Sequence, residues 1–147
     1  MGGVDMENNL KFNSAICTSR VQSERLLSLG LKKETADCAL LPLTDKVTSV
    51  LVKPSTKDIK NTIPAWSLGR LMEMLPSPIP ISEDLPTFHH YAYLDLSKVS
   101  AHYYWEDYDG AERALASFCG NGFFAAVVDA IEWLIKEGYF NKEYLEG

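Results

Sequence analysis

The chain has 147 residues, of which 46% are hydrophobic and 23% are charged. This composition excludes a disordered tail, a collagen-like fibre and a coiled coil. A chain of this length buries roughly 68–70% of its unfolded surface, so it needs neither a metal nor disulfides to fold. The net charge of −6 is unevenly spread, because residues 1–80 carry +2 and residues 81–147 carry −8. Since nucleic-acid binding normally needs a basic patch, the acidic half argues against direct binding to nucleic acid.

The cysteines and the first residues of the sequence indicate the cellular compartment. Cys17, Cys38 and Cys119 form an odd set without CxxC spacing, which is typical of a reducing environment. No apolar run approaches the 18 residues of a membrane helix, and the first residues lack the regions of a signal peptide. We therefore expect a cytoplasmic protein without a membrane partner.

The first helix is predicted after a polar start. Residues 1–16 are polar and aperiodic, so we expect a loosely ordered extension before a single domain at 17–147. Ser19 and Gln22 have capping-box spacing, and Gly30 marks the helix end.

The next segment predicts a helical turn and strands. We expect the turn over residues 33–38 and one or two strands over 39–52, where β-branched residues are frequent. Pro42 indicates an edge strand because proline cannot donate to a ladder. A turn at residues 44–46 and a loop at 53–62 complete this region.

A second helix is predicted in the middle of the chain. Thr62 is a candidate N-cap and Pro64 a candidate first-turn residue, and Pro76 ends the helix. The stripe of this helix comprises Leu68, Leu71, Met72 and Leu75. Four prolines within residues 76–86 then predict a loop or an extended crossing.

Alternating patterns predict a β-hairpin over residues 88–96 and 99–107. If Lys98 and Val99 form its turn, one face brings together six polar or aromatic residues in opposite pairs: Asp95 with His102, Tyr93 with Tyr104, and Tyr91 with Glu106.

The C-terminal region predicts helices. Alanines within residues 112–117 favour a short helix, and an apolar stripe favours a longer one over 121–137, ended by Gly138. Tyr139, Phe140 and Tyr144 are expected to fold back onto the core. The whole pattern predicts an α+β fold, in which a small antiparallel sheet with the hairpin packs against N-terminal, central and C-terminal helices.

Several segments resemble a known group of proteins. The chain resembles small uncharacterised proteins of gut Bacteroidetes, often found in prophage or conjugative-element surroundings. The resemblance lies in Pro64-Ala65-Trp66-Ser67-Leu68, Leu71, Leu75-Pro76, Ile131-Glu132-Trp133-Leu134 and Gly138-Tyr139-Phe140-Asn141. It extends to the stretch from Ser23 through Leu26, Gly30, Leu31, Thr35, Ala36 and Asp37. It covers about a third of the chain, mostly helix faces and helix ends. It implies a bacterial intracellular protein, encoded by a mobile element, and no reaction.

The sequence contains only weak candidates for a cofactor, metal or catalytic site. The pattern G-x-G-x-x-A at residues 120–125 lacks room for a βαβ unit, so we predict no dinucleotide or other cofactor. His89 and His90 point to opposite faces of a strand, so a metal site with His102 is not predicted. The cysteines have no flanking base, which leaves no predicted catalytic residue.

The aromatic residues of the hairpin are the remaining candidates. Tyrosine is enriched at protein interfaces, so we predict a recognition surface made of Tyr91, Tyr93, Asp95, His102, Tyr104 and Glu106. The predicted function is an intracellular binding or accessory protein that acts through protein contacts, and a homo-oligomer is compatible with it. Two alternatives stay open: a small enzyme using His102, Asp95 and Tyr104, and an acidic decoy that imitates nucleic acid. A covered second layer would instead bury the tyrosines under the N-terminal helices.

Overall fold

The computed structural model describes residues 15–42, 48–51 and 61–147. These residues form three α-helices and two antiparallel sheets, one of three strands and one of four. The predicted α+β class is therefore confirmed. The predictions made for residues 1–14, for the turn at 44–46 and for the loop at 53–60 lie outside the described residues.

Helix α1 (Arg20–Ser28) begins at the predicted capping box. The Gln22 N–H donates to Ser19 Oγ at 3.2 Å, and the Ser19 N–H donates to Gln22 Oε1 at 2.9 Å. Gly30 follows the helix with a φ of +103°, a left-handed conformation that favours glycine. The predicted helical turn is present as a 3-10 turn over Lys33–Thr35.

The first sheet has the strand order β2-β1-β3, with β1 at Cys38–Pro42, β2 at Thr48–Leu51 and β3 at Ile63–Ala65. The edge position predicted from Pro42 is wrong, because β1 is the central strand. The proline is tolerated since pairing with β3 ends at Leu40, so Pro42 lies opposite Thr48 alone.

The start predicted for the second helix is also wrong. Pro64 lies in β3, opposite Ala39, at the edge of the sheet where proline is tolerated. Helix α2 (Leu68–Met74) begins later, at Ser67, whose hydroxyl accepts a hydrogen bond from the Arg70 N–H at 3.2 Å. The Ser67 N–H in turn donates to Asp37 Oδ1 at 2.8 Å.

The second sheet has the order β4-β5-β6-β7. Its strands are β4 (Ile79–Pro80), β5 (Tyr91–Leu96), β6 (Ser100–Glu106) and β7 (Glu112–Cys119). The hairpin β5–β6 confirms the prediction, but the helix predicted over residues 112–117 is wrong because β7 occupies that segment. Pairing with β6 along its whole length outweighs the weak helix propensity of the alanines.

Helix α3 (Phe123–Glu137) packs on the sheet through β6 and β7 and confirms the predicted last helix. Its buried side chains share the main core with Trp66, Tyr103, Leu26 and Leu71. Gly138 ends it in the left-handed conformation, and the buried Phe140 folds back onto the core as predicted.

The last residues of the chain lie against the end of α1. Leu145 forms an isolated antiparallel bridge with Leu31, and the Lys32 N–H donates to the Tyr144 carbonyl at 2.8 Å. The Glu146 N–H donates to the Gly30 carbonyl at 2.6 Å. These contacts join the C-terminal residues of the described structure to the segment that follows α1.

Candidate recognition surface

The second sheet has one covered and one open face. Ala92, Ala101, Tyr103 and Trp105 are buried on one face of the sheet, and α3 packs against β6 and β7. We call the opposite side the outer face. It is formed by Tyr91, Tyr93 and Asp95 on β5, His102, Tyr104 and Glu106 on β6, and Glu112, Ala114 and Ser117 on β7.

The structure brings the predicted residues together on this outer face. Tyr93 lies opposite Tyr104 and Asp95 lies opposite His102, in the register predicted from a Lys98–Val99 turn. The rings of Tyr93 and Tyr104 have centroids 6.2 Å apart, and His102 Nε2 lies 3.5 Å from Asp95 Oδ2.

The tyrosines of the outer face are accessible to a partner. Tyr91 is 45% exposed and Tyr93 39%, whereas Tyr104 and His102 are half-buried by their neighbours. Helix α1 packs against β3 and α3 rather than over these rings. The alternative in which the N-terminal helices cover the tyrosines is therefore wrong.

Apart from His102, the charged side chains of the outer face are all acidic. Asp95, Glu106 and Glu112 supply carboxylates, and no lysine or arginine belongs to this face. Glu106 lies directly opposite Glu112, and neither has an ion pair within the described part of the chain. Like charges directly opposite each other on a sheet are destabilising.

The nearby Arg113 is already occupied. Its Nε lies 3.0 Å from Asp107 Oδ2, in the turn that joins β6 to β7. Hydrogen bonds from the Ala111 N–H and from Arg113 lower the pKa of Asp107. The Arg113 guanidinium therefore stabilises the turn, and the negative charges of Glu106 and Glu112 have no cationic partner among the described residues.

The contribution of β7 to this surface was missed from the sequence. Ala114 lies opposite Tyr104 and Ser117 opposite His102, and both small residues are exposed. Because both side chains are small, they project less far from the sheet than Tyr104 and His102 on β6. The period-2 signal that could have revealed it is interrupted by a β-bulge between the pairs of Tyr103 and Tyr104, where Leu115 is the extra residue.

The other predicted sites have ordinary structural surroundings. The prediction that His89 and His90 point to opposite faces of a strand is wrong, because β5 begins at Tyr91 and both histidines precede it. The described residues contain no cluster of three or more His, Cys, Asp or Glu that could hold a metal. The segment 120–125 follows a strand and opens α3, but the strand is antiparallel to its neighbour. Gly120 is required for close packing, because a Cβ there would approach Ala125 Cβ to 2.7 Å.

A cavity of about 520 Å³ lies away from the outer face. Its lining comprises Ala15, Cys17, Ser19, Gln22, Leu68 and residues 121–125. Burial raises the pKa of the Cys17 thiol and raises that of the neighbouring Cys38 to about 12. Both thiols are therefore protonated near neutral pH, and a thiol is a poor nucleophile and a poor metal ligand in that form.

Comparison with known proteins gave no match to any family model, curated protein or solved structure. Among the helices that the structure describes, none has the length and apolar character needed to cross a membrane.

Proposed function

We propose that this protein is a binding module that contacts a partner protein through the outer face. The observation that carries the proposal is the group of three tyrosines on the outer face, in which Tyr91 and Tyr93 are exposed and Tyr104 is half-buried beside Tyr93. Tyrosine offers a large contact area with a polar tip and loses little conformational entropy on binding. Such residues dominate interface hot spots.

The setting of the proposal follows from the sequence. The odd number of cysteines without CxxC spacing supports a cytoplasmic protein. The resemblance to proteins of gut Bacteroidetes supports a bacterial accessory protein encoded by a mobile element. The enzyme alternative has less support, because none of the residues lining the described cavity belongs to the outer face.

Affinity capture tests the proposal. Tagged wild-type protein and the double variant Tyr93→Ala/Tyr104→Ala are used to capture partners from cells of the native host, and mass spectrometry identifies those retained. The matched control is Val21→Ala/Met72→Ala, which truncates two exposed apolar side chains on α1 and α2. The partner is then purified and titrated against all three proteins.

We expect the tyrosine variant to remain folded by circular dichroism and to bind its partner at least about 30-fold more weakly, since truncating one hot-spot residue can cost over about 2 kcal/mol. The control variant should bind like the wild type. Equal binding by all three proteins would contradict the proposal.

A further inference from the structure

We propose that the outer face binds an extended, basic segment of its partner, with arginine or lysine at positions i and i+4. This inference rests on the proposed function and specifies the chemistry of the partner. Apart from His102, the charged side chains of this face are the carboxylates of Asp95, Glu106 and Glu112.

Two anionic positions lie at opposite ends of the tyrosine pair. At one end, Glu106 and Glu112 lie opposite each other without an ion pair in the described residues. At the other end, Asp95 lies opposite His102. A cationic side chain between Glu106 and Glu112 would relieve the repulsion of two opposed carboxylates, which gives this end a specific reason to bind one.

The distance between the two anionic positions favours a partner segment in an extended conformation. His102 and Glu106 lie on the same strand four residues apart, which corresponds to about 13 Å along the strand. An extended segment covers that length in four residues, and its residues i, i+2 and i+4 point to one side. Basic residues at i and i+4 therefore meet both anionic ends, whereas spacing i and i+3 points them to opposite sides.

The middle of the surface suits the middle of such a segment. Tyr93 and Tyr104 lie between the two anionic ends, so residue i+2 rests on their rings. The exposed Ala114 on β7 leaves room for a main chain beside Tyr104.

Two peptides of identical composition test the spacing. The blocked peptide Arg-Ser-Val-Ser-Arg has arginines at i and i+4, and Arg-Ser-Val-Arg-Ser has them at i and i+3. Each is titrated into the full chain labelled with ¹⁵N, at about 20 mM ionic strength, where screening between exposed charges is weak. We expect the first peptide to bind at least about threefold tighter and to shift signals of β5, β6 and β7.

Two charge variants test the site. Glu106→Gln/Glu112→Gln should weaken binding of the first peptide about three- to tenfold, because it removes two exposed ion-pair partners while preserving side-chain shape. The control Glu143→Gln/Glu146→Gln removes two carboxylates near the end of α1 and should change affinity less than about twofold. Equal binding of both peptides, unchanged binding by the first variant or shifts outside the outer face would overturn the inference.

The inference and the proposed function fail in different ways. If neither peptide binds but capture of a purified partner still depends on Tyr93 and Tyr104, the basic segment is wrong and the binding surface stands. If partner binding is also independent of these tyrosines, both are wrong.

Discussion

The Arg25 guanidinium on α1 donates a hydrogen bond of 2.7 Å to Asp129 Oδ1 on α3, more than a hundred residues later in the chain. Its second terminal nitrogen pairs with Glu132. Helices α1 and α3 are thus joined by one guanidinium and two carboxylates. No local pattern in either helix indicates these contacts, because the partners are more than a hundred residues apart.

Replacing Arg25 should measurably destabilise the fold. The side chain is 38% exposed, so solvent screens the pairs, and we expect Arg25→Gln to lower the free energy of unfolding by about 1 kcal/mol. The measurement is urea denaturation at low salt. Arg20→Gln is the control, since Arg20 pairs only with Glu24 at a more exposed site and should lose less than about 0.5 kcal/mol. Equal losses would mean that the link between the helices contributes nothing.

Stability should fall in acid through Asp37. Although burial opposes ionisation, hydrogen bonds from Ser67 hold the pKa of Asp37 below its ordinary value. A carboxylate with a lowered pKa stabilises the fold above its unfolded pKa of about 3.9, and the contribution is lost as pH falls through the folded pKa. Denaturation curves between pH 7 and pH 2 should show a shallower acid loss for Asp37→Asn than for the wild type. Parallel curves would contradict this prediction.

Helix α3 should be central to stability. Ile131 is fully buried in the main core, so Ile131→Ala should lower the free energy of unfolding by about 2–5 kcal/mol. Glu137→Ala at the exposed end of the same helix should change it by less than about 0.5 kcal/mol. Guanidinium denaturation measures both, and similar small effects would show that the apolar face of α3 is not a stabilising contact.

The buried hydroxyl of Tyr103 should also contribute. It donates a hydrogen bond of 2.7 Å to the Pro76 carbonyl, and burial raises its pKa. Tyr103→Phe should cost about 1–3 kcal/mol, because the carbonyl is left without its donor. Tyr144→Phe removes a hydroxyl from a half-buried ring and serves as the control in thermal denaturation. A Tyr103→Phe protein as stable as the wild type would exclude a net contribution from this bond.

Local signals predicted several elements well. The capping box at Ser19 acts within one turn, and the apolar stripe of α3 is long enough to leave little ambiguity. Alternation on both strands predicted the two faces of the hairpin, and the observed register is the one expected if Lys98 and Val99 form the turn. These features depend on residues near each other in the sequence.

The failures came from contacts that are distant in the sequence. Pro64 has the properties of a first-turn residue, but pairing with Ala39 places it in a strand. Asp37 supports the Ser67 cap from another element, which no local pattern reveals. The sequence of β7 predicts a helix, because its alanines favour a helix and do not alternate with polar residues as in a strand. Its outer residues Glu112 and Ala114 were therefore absent from the predicted surface.

The bridge between Leu31 and Leu145 has a consequence for synthesis on the ribosome. The two residues are more than a hundred positions apart, and chains grow at about 5–20 residues per second. On the order of ten seconds therefore pass between the emergence of Leu31 and that of its partner. During that interval the apolar side chains around the end of α1 lack this part of their native cover, so the nascent chain is exposed there to aggregation and proteolysis until the segment around Leu145 has emerged.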